Sequence, residues 1–126
     1  IKALNDVKYS YNSYTMNMAA IELGAAVLED KEYFDTTVAK IVNTREAAKI
    51  RLKELGFTFP DSKTNFIFAK PSKITAKQMF EELKKRNIYV RYFTGERVKE
   101  HLRITIGTDE EMERFFKAVE EIQGEI

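Results

Sequence analysis

Residues 100–111 read EHLRITIGTDEE, and their alternation decides the fold. In an extended chain Leu102, Ile104 and Ile106 fall on one side, and His101, Arg103 and Thr105 on the other. An apolar residue at every second position predicts a half-buried strand from His101 to Gly107. Thr108 and Glu111 then stand at capping-box spacing, so a helix starts at once. Met112, Phe115, Phe116, Val119 and Ile122 supply its apolar face. A strand that runs directly into an amphipathic helix needs further strands beside it and a helical layer over its apolar side.

Those partners lie upstream. Ile88–Phe93 (IYVRYF) reads as a strand, joined to the first by a polar connection from Thr94 to Val98 that contains Gly95. Before it, Thr75 and Gln78 form a second capping box, Met79, Phe80 and Leu83 give a helix its apolar face, and Arg86 and Asn87 close it. Asn65–Ala69 (NFIFA) is a further strand, and Phe57–Phe59 a short one, with a Pro60-Asp61-Ser62 turn between them. A long helix runs from about Lys31 to Leu55, striped by Phe34, Val38, Ile41, Ala48, Leu52 and Leu55. Arg45 interrupts the stripe, and Gly56 is placed to stop the helix in the left-handed conformation. An earlier helix, with Ser13 as its cap, carries MNMAAIELGAAVLE, and Asp30 caps the helix that follows. The predicted order is α-α-β-β-α-β-β-α: an α+β fold in which a small, mostly antiparallel sheet is covered by helices.

Composition narrows the function. The chain has 126 residues, 44% of them hydrophobic, enough for one core and one domain. With 21 basic and 20 acidic residues the net charge is +1, which gives no electrostatic case for nucleic acid. No apolar run reaches the roughly 20 residues of a membrane span. The absence of cysteine excludes disulfides, thiolate metal sites and a cysteine nucleophile, and suits a reducing, cytoplasmic setting. A single histidine, His101, has no companion for a metal site, and the glycines form no phosphate loop.

Arg103 is the residue to explain. On an open sheet face it is either solvated or paired, or it is a rigid planar fork held on a strand to grip an anion. Arg91 and Tyr92 lie on the neighbouring strand and alternate, so only one of them shares its face.

VRYF at residues 90–93 and LRITIGT at 102–108, followed by an acidic helix start, resemble the C-terminal end of histidinol-phosphate aminotransferases, within the fold-type I pyridoxal-phosphate enzymes. TNFIFAKP at 64–71 is similar to a strand of that family. The opening, with Tyr11 and Asn12 before an alanine-rich helix, resembles its passage from cofactor domain to small domain. Related aminotransferases and a phosphothreonine decarboxylase share much of the pattern.

The resemblance implies a small C-terminal domain over residues 1–126, with 1–30 as the connecting segment and helix from a large cofactor domain. It implies that Arg103 binds the substrate carboxylate or phosphate, and that Tyr11, Asn12, Arg91 and Tyr92 line the site. Asn12, like Ser13, reads equally well as a helix cap. The lysine that carries the cofactor belongs to an S-x-x-K segment upstream, and this chain has no such segment. The implied parent uses pyridoxal 5'-phosphate, is a cytoplasmic homodimer, and moves an amino group between glutamate and imidazole-acetol phosphate in histidine biosynthesis. The chain alone is then expected to hold no cofactor and to be inactive. Against this stands a free-standing α+β module that binds a small anion or dimerises. The discriminator is whether Met16, Ala20, Leu23 and Val27 are covered.

Overall fold

The computed structural model describes residues 1–11 and 14–125. It contains α1 (Lys2–Tyr11), α2 (Met18–Glu29), α3 (Lys31–Glu54), β1 (Phe66–Ala69), α4 (Ala76–Lys85), β2 (Arg91–Tyr92), β3 (Leu102–Thr105) and α5 (Asp109–Gly124). The chain divides into two compact units, Ile1–Thr37 and Val38–Ile126. The strands form one antiparallel sheet in the order β1-β3-β2. The α+β class and the antiparallel sheet are as expected from the alternation.

Three elements differ, the first being the expected strand Ile88–Phe93, of which only Arg91–Tyr92 forms β2. α1 replaces a stretch with no assigned structure, and the expected strand at 57–59 is a single bridge between Thr58 and Lys70. That bridge makes both of its hydrogen bonds, at 2.9 and 2.8 Å. It does not extend because Pro60 and Pro71 stand just beyond its two strands and have no N–H to donate.

In the second unit, Leu52, Ile67, Met79, Leu83, Leu102 and Val119 are wholly enclosed in one core. Both capping boxes form: Thr75 with Gln78 opens α4, and Thr108 with Glu111 opens α5. α3 ends as expected. Phe57 N–H donates to Leu52 O at 2.8 Å and Gly56 N–H to Lys53 O at 3.0 Å, with Gly56 at φ 81°. A Cβ on Gly56 would also lie 2.6 Å from Ser72 Oγ. Gly56→Ala is therefore expected to cost about 1–2 kcal/mol for the left-handed backbone, read as a lower urea midpoint; an unchanged midpoint would contradict this account of the turn.

Arg45, the break in the α3 stripe, is buried. Its Nη1 donates to Thr64 O at 3.2 Å, and its Nη2 lies 2.9 Å from Glu46. One turn on, buried Lys49 donates to Asp61 at 2.6 Å, to Ser62 O at 2.9 Å and to Glu46 at 3.0 Å. These two cations tie α3 to the loop that enters β1. Lys49 holds the Asp61 and Glu46 carboxyls below their usual range, and Asp61 in turn holds the Lys49 ammonium up. Carboxyls depressed on folding add stability above their unfolded values, near pH 4, and lose it as pH falls through the lower folded values. Stability should thus decline from about pH 5 downward, and Lys49→Met should flatten that decline. Urea midpoints at a series of acidic pH values test this, and equal slopes in both proteins would refute it.

In the first unit, Asn17 caps α2, its side chain accepting from Ala20 N–H at 2.8 Å. The helix thus starts later than a cap at Ser13 implies; Ser13 itself lies outside the described residues. Asp30 caps α3 through Tyr33 N–H at 3.0 Å. No residue of α2 is buried, although it reads MAAIELGAAVLE and is apolar nearly all round. Met16, Ala20, Leu23 and Val27 are all exposed.

Candidate anion-binding face

β3 separates its side chains as the alternation requires. Leu102, Ile104 and Ile106 are buried, while Arg103 and Thr105 are exposed. The register then decides which neighbours share the open face. Arg103 stands between Phe68 on β1 and Arg91 on β2, and Tyr92 is opposite buried Leu102. Directly opposed residues project to one side of a sheet. Arg91 therefore joins Arg103, and Tyr92 turns to the helical side, where its ring stacks on Phe80 at 5.7 Å.

Two guanidinium groups directly across a strand pair repel each other, and natural sheets avoid such pairs. Here nothing acidic neutralises them: among the described residues neither Arg91 nor Arg103 makes an ion pair. The nearby acids are engaged elsewhere. Glu100 binds Lys70 at 2.9 Å, which lowers its carboxyl, and Glu96 binds Lys99 at 2.7 Å. What surrounds the arginines is aromatic. Arg103 lies 5.6 Å from the Phe66 ring and 6.0 Å from Phe93, and Arg91 lies 5.4 Å from Phe93. Ring faces orient a guanidinium without competing for its N–H donors. His101 stacks flat on Phe68, with centroids 4.6 Å apart and planes 10° apart, and its buried Nδ1 has no partner among the described residues.

The face is thus a fixed, doubly cationic platform with free donors. It can hold a carboxylate or a phosphate, whose paired oxygens match the guanidinium fork. Sequence reading singled out Arg103 as a candidate and left Arg91 and Tyr92 open; the register puts Arg91 on the Arg103 face and Tyr92 on the other. The aromatic frame of Phe66, Phe68, Phe93 and His101 was missed. Its signal was an aromatic residue at every second position of NFIFA, which an ordinary core strand also produces. Tyr11 closes α1, and Asn12 lies outside the described residues.

A carrier lysine needs an unengaged amine in an enclosed site. Among the described residues Lys49 is the buried lysine, and its ammonium is committed to two carboxylates and a carbonyl.

Residues 1–119 match the family described as aminotransferase class I and II. The chain belongs to that family of enzymes. More particularly, it is 47% identical over 122 residues to a histidinol-phosphate aminotransferase of Brachyspira hyodysenteriae, covering 97% of this chain and 34% of that protein. The chain spans about a third of the length of the curated relatives it matches. Among solved structures, a protein from Erwinia carotovora described as a putative histidinol-phosphate aminotransferase superposes with a TM-score of 0.76 at 18% identity, over 88% of this chain and 32% of that one. The Sinorhizobium meliloti histidinol-phosphate aminotransferase, solved with pyridoxal-5'-phosphate, gives 0.70 at 24% identity, over 78% and 27%. These two likenesses establish the fold.

Proposed function

We propose that this chain is the C-terminal, substrate-anion-binding portion of a pyridoxal-phosphate-dependent histidinol-phosphate aminotransferase. The observation that carries this is the uncompensated pair Arg91 and Arg103, set directly across β2 and β3. Histidinol phosphate presents a phosphate, and glutamate, its exchange partner with 2-oxoglutarate, presents a carboxylate. One guanidinium platform serves both, because each ligand offers paired anionic oxygens and arginine stays charged at any working pH. Mutual repulsion in the empty face makes the anion-bound state comparatively more favourable.

Pyridoxal phosphate supplies the electron sink for amino transfer, and its carrier lysine belongs to the remaining two-thirds of the parent. Within this chain, Arg103 and Arg91 bind and orient the substrate anion. The Phe66, Phe68 and Phe93 rings fix the guanidinium planes. Leu102 and Ile104 hold the strand rigid from below, as a precise site requires.

The bare surface of α2 supports the same reading. A helix that is apolar nearly all round is normally a buried one, and the rest of the parent supplies the cover. The test is a transamination assay of the parent-length enzyme with histidinol phosphate and 2-oxoglutarate, set beside phenylalanine and aspartate as donors. Preferred turnover of histidinol phosphate is expected, and preference for another donor would reassign the substrate.

A further inference from the structure

A second site lies at the opposite edge of the sheet from β1. Ile106 N–H donates to Asn65 O on the β1 side, so by antiparallel alternation Leu102, Ile104 and Ile106 bond toward β1. Arg103 and Thr105 consequently bond the other way. Arg103 finds Arg91 there, but β2 is only two residues long, and among the described residues no backbone hydrogen bond joins Thr105 to residues 87–90. The cause is at the end of α4. Asn87 takes φ 58°, and Ile88 N–H donates back to Leu83 O at 2.9 Å, which starts the following residues away from β3.

The divergence opens a cavity of about 340 Å³ between residues 87–90, the end of β3 and the first turns of α5. Its floor is apolar, formed by Ile104 on the buried side of the sheet and by Met112 and Phe115 on α5. Arg114 stands at the rim and makes no ion pair among the described residues. Glu111 also lines it, but its carboxylate accepts from Thr108 N–H at 2.9 Å in the capping box. An unpaired strand edge, an apolar floor and one unengaged cation therefore meet in one small space. Arg91 and Arg103 do not line it.

We propose that this cavity binds a short extended peptide ending in a free carboxylate. The peptide backbone pairs with the N–H and C=O of Thr105 and continues β2 where the chain leaves it, which is strand addition on a two-residue scale. One apolar side chain enters above Ile104, Met112 and Phe115, and the terminal carboxylate reaches Arg114. The volume sits at the low end of the range for ligand pockets, about 300–1,000 Å³, and suits two residues rather than a longer segment.

The probe is N-acetyl-Val-Leu with a free carboxylate, titrated into the ²H,¹⁵N-labelled parent-length enzyme and followed by amide NMR. Saturable shifts at Thr105, Gly107 and Tyr89 are expected. The C-terminal amide of the same peptide, and the Arg114→Gln protein with the original peptide, should each bind at least about tenfold more weakly. No saturable shift up to about 10 mM, the regime of non-specific contact, would overturn the proposal. So would shifts centred on Arg91 and Arg103, which would place the carboxylate on the other face. So would equal binding by the Arg114→Gln protein. The outcome is independent of the aminotransferase assay, because the cation that reads the anion is Arg114 here and Arg91 with Arg103 there.

Discussion

Arg103→Gln is expected to lower kcat/KM of the parent-length enzyme for histidinol phosphate by about 10²- to 10³-fold, with the folded state intact. Hydrogen bonds to charged groups contribute about 1.5–3 kcal/mol each, and a fork donates two. Each 1.36 kcal/mol is a factor of ten in rate. Glutamine keeps length and polarity but has neither the charge nor the parallel donors. Arg103→Lys restores charge without the fork, so it should recover only part of the loss. Arg91→Gln should fall between wild type and Arg103→Gln, since Arg103 holds the central strand. Steady-state kinetics on the three variants checks this order. The fold should not suffer: Arg103 is exposed and faces a like charge, so its removal is expected to leave the urea midpoint equal or slightly higher. A loss of activity that tracked a loss of stability would remove Arg103 from the site.

Leu102→Ala is the converse experiment, one residue away. Leu102 has no exposed surface and packs in the core beneath the sheet. Its truncation removes buried methyl groups and leaves a cavity, a change that costs about 2–5 kcal/mol. A domain has only about 5–15 kcal/mol in total, so the loss is a large share. Urea unfolding should show a much lower midpoint with an unchanged slope, the sign of a stability change rather than a change in compactness. A cost below about 1 kcal/mol would mean that β3 is not packed as the structure shows. Read together, the two variants separate the faces of one strand, with even positions expected to carry the fold and odd positions the anion.

That separation was legible in LRIT itself, because the period of a half-buried strand is local. The two capping boxes and the Gly56 stop were legible for the same reason: each depends on residues within one turn. Three features were not. The choice between Arg91 and Tyr92 depends on the register of β2 against β3, which is set where the chain leaves Asn87. Lys49 was not singled out because its partners Asp61 and Ser62 lie on a loop a dozen residues further on. α1 was missed because KALNDVKYSY mixes weak helix formers with no clear cap; its one local signal is the Lys2–Asp6 pair at i,i+4 spacing. The role of α2 was readable as apolar but not as bare, since exposure is a property of what surrounds a helix.

The central claim is that the guanidinium groups of Arg103 and Arg91 hold the substrate anion. The measurement that meets it most directly is a crystal structure of the parent-length enzyme with histidinol phosphate bound. The account predicts phosphate oxygens within about 2.7–3.2 Å of both guanidinium groups, with two of those contacts made by the Arg103 fork. A phosphate held by other residues, with Arg91 and Arg103 still open to solvent, would contradict it.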